Sequence, residues 1–389
     1  MFFEGVWMFA VCLVLFWVSL LTVAYAYVGY PLAIALLARW RRRPVEKADI
    51  TPTVTLLVAA YNEEHCISDK IENTLSLDYP SRKLDLVVVA DGSTDRTAAI
   101  VRSYAAEGVR LLYQPERRGK PAAVIRAFPH TRGEVVVFSD ANSRFQRDAL
   151  RKLVRSFADA EVGGVGGAKT VLSDADTATG TGESLYWRYE SYLKTCESAV
   201  GSVMGVPGEI WAVRRDAYVP SEPDSIIEDF VASLRLVERG WRLVHEPEAL
   251  AYEDASPDLR AEWARRTRMA AGGWQSLAQL PGMLRHKRKL VTFQYLSHRM
   301  LRWMVTPSLF VLLFLANLGL LWSPFYAAVW GVQLLGYAMA AAGWFLTVLG
   351  RPSRWLLAPF YICMLNAAAL VGGWRFLTGR QSVIWRKVR

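Results

Sequence analysis

Three stretches of this chain contain no charged residue, and they flank one long polar block. They run from Gly5 to Ala38, from Trp303 to Gly350 and from Trp355 to Trp374. A helix needs roughly 20 apolar residues to cross a bilayer. The first stretch is therefore long enough for one crossing, the second for two, broken at Ser323-Pro324, and the third for one. The pattern predicts an integral membrane protein with a polar domain between its membrane segments.

The first apolar stretch is predicted to be a retained anchor. The apolar core of a signal peptide is about 7–15 residues long, which is shorter than this stretch. A basic start and a small-residue cleavage site are also lacking.

Basic residues are concentrated beside the membrane segments. The chain has 46 Lys and Arg against 36 Asp and Glu, a formal charge of +10. The excess follows the first stretch, precedes the second and closes the chain, at Arg39, Arg41–Arg43, Arg285–Lys289, Arg386, Lys387 and Arg389. Such placement marks the cytosolic side and attracts anionic lipid. It predicts a plasma-membrane protein whose block from about residue 44 to 300 is cytosolic, with no nucleic-acid partner.

The C-terminus presents a conflict under this rule. Three crossings after the polar block would place the basic tail outside. Either one C-terminal segment is re-entrant or interfacial, or the rule fails here. Asn366 and Gly372-Gly373 make the last segment the weakest candidate span.

Strands alternate with helices in the first half of the polar block. β-Branched apolar runs suit strands buried on both faces of a parallel sheet. The predicted strands are Val54–Ala60, Leu84–Ala90, Val109–Tyr113 and Glu134–Ser139; the predicted helices are Glu63–Leu77, Arg96–Glu107 and Lys120–Phe128. This alternation predicts βαβ units with helices on both sides of the sheet.

Polar groups follow three of these strands directly. They are Tyr61-Asn62-Glu63, Asp91 and Asp140-Ala-Asn142. Ligands bind at the carboxyl ends of parallel strands, so these groups are expected at one binding edge. Asp91 is a candidate to accept hydrogen bonds from a base or ribose. The alternative is a turn in which Ser93 or Thr94 caps the next helix, and Asp95 is predicted to be a helix-start residue.

The pair Asp140 and Asn142 is a candidate metal site. Residues two apart in an extended segment face the same way, so both side chains could offer oxygens to one Mg²⁺ or Mn²⁺ on a diphosphate. A plain turn is the alternative. Lys120 is a candidate phosphate or base contact, or else part of a solvated basic loop.

Glu228 and Asp229 open a predicted helix, Phe230–Arg239. Carboxylates at a helix start can simply complement the helix dipole. As the third acidic signature in the block, Asp229 is a general-base candidate.

A second helix is predicted from Asp258 to Leu280, which no proline interrupts. At about 100° per residue, Leu259, Trp263, Ala270, Trp274 and Leu277 share one face. This face is expected to lie on the bilayer, so that Arg265 and Arg268 on the other side of the helix point back at the polar block. The alternative is that these arginines meet lipid headgroups only.

The ordered motifs resemble membrane-bound glycosyltransferase family 2, which includes hyaluronan, cellulose and poly-N-acetylglucosamine synthases. The motifs are Ala-Tyr61-Asn-Glu63-Glu, Asp91-Gly-Ser-Thr-Asp, Arg-Gly-Lys120, Asp140-Ala-Asn142 and Glu228-Asp229, and the resemblance covers residues 50 to about 275. It implies an α/β GT-A fold with a Rossmann-like mixed sheet, a nucleotide-diphosphate sugar donor such as a UDP-sugar, a divalent cation and inversion at the anomeric carbon.

The resemblance also assigns roles to residues. Tyr61, Glu63, Asp91 and Lys120 would bind the nucleotide, and Asp140 and Asn142 would hold the metal. Asp229, with Glu228 beside it, would be the catalytic base. Separately, the orientation predicted for the helix Asp258–Leu280 favours Arg268 as the group that stabilises the departing diphosphate.

Two departures from the family pattern stand out. Asn142 replaces the second Asp of the metal motif, so the site loses one charge. Processive members carry Gln-x-x-Arg-Trp before a glycine pair; here Arg268 and Gly272-Gly273 match, whereas Arg265 and Met269 replace the Gln and the Trp.

The leading hypothesis is therefore a glycosyltransferase that extends a polysaccharide or another surface glycan, with a partner subunit or second copy to complete a channel. Single sugar addition to a lipid carrier and an inactive membrane scaffold are the alternatives. The absence of intramembrane charge disfavours a transporter. The expected organisation is an N-terminal membrane helix (5–38), the catalytic domain (50–256), interfacial helices (257–300), two to three C-terminal spans (303–376) and a basic tail (377–389).

Overall fold

The computed structural model describes residues 2–172, 178–256 and 258–382. Arg386, Lys387 and Arg389 of the predicted basic tail lie outside the described residues. In the polar block the described chain forms one eight-stranded sheet between helices. Its strands are β1 (Val54–Ala60), β2 (Leu84–Asp91), β3 (Arg110–Gln114), β4 (Val135–Asp140), β5 (Arg144–Phe145), β6 (Val162–Leu172), β7 (Trp211–Arg214) and β8 (Arg242–Asp254).

The sheet is mixed, with the strand order β3-β2-β1-β4-β7-β6-β8-β5. Strands β1 to β4 are parallel, as predicted, and β7 pairs antiparallel with both β4 and β6. Strand β1 is buried along nearly its whole length, which is why its sequence is apolar without alternation. The strands after β4 were not assigned from the sequence.

The helices of the polar block cover both faces of the sheet. They are α3 (Ile67–Leu75), α4 (Thr97–Ser103), α5 (Lys120–Ala127), α6 (Ala149–Val154), α7 (Ala178–Val200), α8 (Glu228–Glu238) and α9 (Leu259–Gln279), followed by the short α10 (Pro281–Leu284). The predicted helix Glu63–Leu77 begins only at Ile67, because the residues before it form a loop hydrogen-bonded to the turn after β2.

Four helical segments are long and apolar enough to cross a membrane, by length and composition. They span Trp7–Trp40, Lys289–Leu318, Pro324–Val348 and Trp355–Leu377. In order, these segments correspond to α1 (Phe2–Ala24) with α2 (Tyr30–Trp40), α11 (Lys289–Gln294) with α12 (Thr306–Leu318), α13 (Pro324–Val348) and α14 (Arg354–Leu377). A π-helical turn joins α1 to α2, and a longer one joins α11 to α12. Phe16 of α1 packs with Leu313 and Leu320 at α12.

The predicted helix Asp258–Leu280 is present as α9, and its apolar face packs on α14. Leu259 and Trp263 pack on a cluster of α14 that contains Phe360. A methyl group added at Gly373 of α14 would lie 2.7 Å from Nε1 of Trp274. The sequence predicts that this face lies on the bilayer, whereas in the structure α14 contacts it at these residues. The reason is the glycine pair in α14, which lets the two helices approach closely.

Candidate active site

Two loops at the carboxyl edge of the sheet are joined by hydrogen bonds. The Oδ1 atom of Asn62 accepts from the backbone N–H of Thr94 at 2.8 Å, and the Oγ1 of Thr97 accepts from the backbone of Glu63 at 2.8 Å. Asp95 accepts from the N–H of Thr97 at 3.0 Å, so it is the helix-start residue that the sequence predicts. These bonds hold the end of β1 against the end of β2.

Asp91 supports a loop in this structure. It is 4% exposed, and its Oδ2 accepts from the backbone N–H groups of Arg118 at 2.9 Å and Gly119 at 2.7 Å. The same loop places the Arg117 guanidinium 3.6 Å from the ring centre of Tyr61. Asp91 and Tyr61 thus meet one basic loop at the predicted edge, and Arg117 joins the candidate site.

Glu63 lies at the same edge but turns towards the start of α3. Its Oε2 atom accepts a hydrogen bond from the thiol of Cys66 at 3.2 Å. This contact lies within the loop between β1 and α3, which also carries Glu63 itself.

Lys120 is the centre of the site. It is the first residue of α5, after Gly119 at φ 93°. Its Nζ lies 2.7 Å from Asp140 Oδ1 and 3.0 Å from Glu228 Oε1. Burial disfavours its charge, but Asp140, Glu228 and Asp229 outweigh burial and raise the pKa of Lys120 well above its usual value. One ammonium therefore joins the end of β4 to the start of α8.

Glu228 and Asp229 are adjacent carboxylates with opposite electrostatic environments. Burial opposes the charge of Glu228, but Lys120 and Arg268 prevail, and its pKa is lowered. Burial and the charge of Glu228 raise the pKa of Asp229 to about 7. A carboxylate whose pKa lies near neutral pH suits a general base.

Gly208 forms the wall beside Asp229. A methyl group at Gly208 would lie 2.7 Å from Asp229 Oδ2 and 3.5 Å from Lys120 Nζ. Any larger residue would therefore occupy the space in front of the carboxylate. Gly208 was not identified from the sequence.

Helix α9 holds the turn that carries the two carboxylates. Arg268 donates from Nη1 to the carbonyl of Ile226 at 2.7 Å, and Gln275 accepts from the N–H of Ile226 at 2.8 Å. A methyl group at Gly272 would lie 2.8 Å from Ile227. The predicted orientation of Arg268 towards the catalytic block is thus observed, because the glycine face of α9 packs on that turn.

Asp140 and Asn142 do not lie in one extended segment. Asp140 is the last residue of β4, and Asn142 belongs to the turn that follows. Asp140 contacts Lys120, whereas Asn142 donates from Nδ2 to Glu253 Oε1 at 2.5 Å. The premise that both side chains follow one strand face is wrong, since the strand ends at Asp140.

The donor set nevertheless fits a divalent cation bound together with a diphosphate. Mg²⁺ sites commonly use one or two carboxylates and complete their shell with phosphates and water. Asp140 is about one-third exposed at a strand end, and Asn142 adds an amide oxygen. In the part of the chain that the structure describes, no group of three or more His, Cys, Asp or Glu side chains is arranged to hold a metal, so phosphate ligands would be needed.

Residues 55–219 match the family described as "Glycosyl transferase family 2". The chain is 26% identical over 241 residues to a poly-β-1,6-N-acetyl-D-glucosamine synthase of Staphylococcus aureus, covering 61% of this chain and 58% of the synthase. It is 29% identical over 236 residues to a β-monoglucosyldiacylglycerol synthase of Synechocystis, covering 58% of this chain and 48% of that enzyme. The match thus spans about half the length of these relatives. The chain carries a glycosyltransferase family 2 domain.

A solved structure has the same architecture. It is a mannosyltransferase from Pyrobaculum calidifontis in complex with GDP-Man and Mn²⁺, which covers 94% of this chain and 100% of its own at a TM-score of 0.72 and 24% identity. At this identity the similarity shows the fold alone. The predicted GT-A-type fold with helices at both ends is confirmed.

Substitution of Gly208 tests the geometry around Asp229. Gly208→Ala should lower sugar transfer by at least about tenfold, since a misplaced catalytic group commonly costs that much. Gly201→Ala is the matched control, because a methyl group there meets nothing within 4 Å. Assay of both purified variants gives the comparison. Equal activity of the two would show that Gly208 does not shape the site.

Proposed function

We propose that this protein is an inverting glycosyltransferase, embedded in the membrane, that transfers a sugar from a nucleotide-diphosphate sugar to a glycan or lipid acceptor. The observation that carries this proposal is the convergence of Asp140, Lys120, Glu228 and Asp229 at one edge of a family 2 domain. An inactive scaffold would have no need for carboxylates of divergent pKa around one ammonium. GDP-Man bound to the structural neighbour fits a nucleotide-sugar donor.

Asp229 is the proposed base. It takes the proton from the acceptor hydroxyl while the oxygen forms its bond to the anomeric carbon and the bond to the diphosphate breaks. Glu228 keeps Lys120 in place, and Lys120 and Arg268 face the negative charge that leaves. Displacement by the acceptor itself inverts the anomeric centre.

Asp140 and Asn142 would hold a divalent cation, Mg²⁺ or Mn²⁺. When bound, it would neutralise charge on the leaving diphosphate. The Mn²⁺ of the structural neighbour supports this choice. Lys120 would then release Asp140 and contact the phosphates of the donor.

The acceptor is proposed to be a growing polysaccharide, with a lipid acceptor as the second candidate. The Staphylococcus relative is named for a polymer and the Synechocystis relative for a glycolipid. Retention of Arg268 and the glycine pair favours the polymer. Met269, which cannot present a flat ring to a sugar, favours single addition.

The size of the product decides between these two acceptors. Purified protein in detergent, screened with labelled nucleotide sugars, should give a ladder or long polymer on a sizing gel. One sugar on each lipid acceptor would reject chain growth. Absence of transfer and hydrolysis with every donor would reject the enzyme itself.

The proposed base is tested by Asp229→Asn, which keeps the shape of the side chain. Transfer should fall by about 10²–10⁴-fold, while donor binding stays near that of the wild type. In the wild type kcat/KM should rise with pH as Asp229 loses its proton near pH 7, and the variant should lose this rise. Lost donor binding with normal transfer at saturation would instead make Asp229 a binding residue.

The cation is tested by chelation and by Asp140→Ala. Excess chelator should abolish turnover, and Mg²⁺ or Mn²⁺ should restore it. Asp140→Ala should remain inactive at any metal concentration, because no other side chain in that turn supplies a charge. Full activity in excess chelator contradicts the metal proposal.

We further propose that the catalytic domain lies on the cytosolic side of the plasma membrane and that α14 lies along the interface. Both halves of α14 follow α9: Phe360 near Leu259 and Gly372 against Thr267. Helix α9 carries five charged residues, Arg260, Glu262, Arg265, Arg266 and Arg268, and binds the catalytic domain. If α14 crossed the membrane, α9 alongside it would bring its charged residues into the bilayer, at a high cost in free energy.

This arrangement leaves three crossings and resolves the charge conflict at the C-terminus. The basic residues Arg375 and Arg380 then lie on the cytosolic side, as the positive-inside rule requires.

Single-cysteine labelling tests this topology in a variant whose four native cysteines are replaced. Ser323→Cys, between α12 and α13, should react with an impermeant maleimide on intact cells. Ser382→Cys, after α14, should react only once the cells are opened. Labelling of Ser382→Cys on intact cells would mean that α14 crosses the membrane.

A further inference from the structure

We propose that Glu253 is a positioning residue for the cation site: it orients the amide of Asn142 and restores the negative charge that Asn142 lacks. This inference rests on the proposed function and deepens it. It explains how a metal motif with only one carboxylate can hold a divalent cation. Glu253 lies on β8, more than a hundred residues after Asp140, so spacing along the chain does not connect them.

The orientation of Asn142 follows from one hydrogen bond. Its Nδ2 donates to Glu253 Oε1 at 2.5 Å. An amide whose nitrogen is held by a carboxylate turns its oxygen to the other side, and the oxygen is the atom that binds a hard cation. The carboxylate also polarises the amide, which makes that oxygen a stronger ligand.

Glu253 is itself held by a buried lysine. The Lys169 side chain is fully buried on β6 and forms ion pairs with Glu253 and with Glu209, the latter at 2.7 Å. Lys169 is in register with Ala251 on the neighbouring strand β8, and Glu253, two residues on, shares that face. The carboxylate that fixes Asn142 therefore has a fixed position of its own.

The same lysine connects the cation site to the proposed base. Glu209 follows Gly208, which forms the wall beside Asp229. Lys169 thus joins β8, which orients the metal ligand, to the loop that shapes the space around the base. Partners in the outer shell of a metal site typically change metal affinity by about 10–100-fold.

Asn142 and Glu253 are matched to each other. An aspartate at position 142 would place two carboxylates at hydrogen-bond distance, and like charges this close disfavour each other. The Asn142 amide avoids this repulsion, and Glu253, which is hydrogen-bonded to that amide, supplies the negative charge next to the ligand. Each substitution alone should therefore harm the site, and the two together should compensate.

The test measures Mn²⁺ binding to the purified full chain by electron paramagnetic resonance in the presence of a nucleoside diphosphate, GDP or UDP, which supplies the phosphate ligands without allowing turnover. Glu253→Gln keeps an acceptor for Asn142 but removes the charge, and should weaken Mn²⁺ binding by at least about tenfold. Asn142→Asp alone should also weaken binding, because the new carboxylate and Glu253 repel each other. Asn142→Asp together with Glu253→Gln should recover most of the lost affinity, because the charge then sits on the ligand.

Two controls separate this role from a structural one. Glu248→Gln removes one charge from the same strand, at a side chain that is 58% exposed and paired with Arg155; it should bind Mn²⁺ like the wild type. Asp140→Ala should abolish binding. If Glu253→Gln binds normally while Asp140→Ala does not, the metal site stands and the inference fails. Failure of Asn142→Asp to rescue Glu253→Gln overturns it as well.

Discussion

The ammonium of Lys120 is the interaction on which the candidate site depends. Asp140 ends a strand, whereas Glu228 begins a helix nearly ninety residues later, and Lys120 contacts both. Without it, three carboxylates would face one another in a partly buried site, at a large electrostatic cost. The same charge lowers the pKa of Glu228, while the pKa of Asp229 stays raised. Lys120 thus joins the acidic groups and keeps Glu228 charged, whereas burial and the charge of Glu228 raise the pKa of Asp229.

Helix α9 extends this constraint to the membrane. One face binds the backbone of Ile226, beside the carboxylates, and the opposite face packs on α14. Glycine makes both contacts close: Gly272 lies against Ile227, and Gly373 of α14 lies against Trp274. Because side chains are absent at these positions, the catalytic turn and the C-terminal membrane region are separated by only one helix.

The candidate site could be read from the sequence wherever its residues lie at strand ends. Strands β1, β2 and β4 are apolar runs buried on both faces, and this local pattern is visible without a structure. Since parallel strands end at one edge, Tyr61, Asp91 and Asp140 could be placed together before their distances were known. The start of α8 at Glu228 was visible for a similar reason, because a carboxylate pair precedes an apolar helical pattern.

The sequence by itself thus determined the membrane class, the first half of the sheet and the main acidic groups, because each is encoded in short-range periodicity or charge. Only the tertiary structure decided the rest. The roles of Gly208 and Glu253 depend on strands β7 and β8, whose pairing is non-local. The apolar face of α9 has the same sequence pattern whether it meets lipid or another helix. In the structure this face packs on α14. Long-range packing assigns a partner to each surface, and hydrophobic periodicity specifies only that a partner is needed.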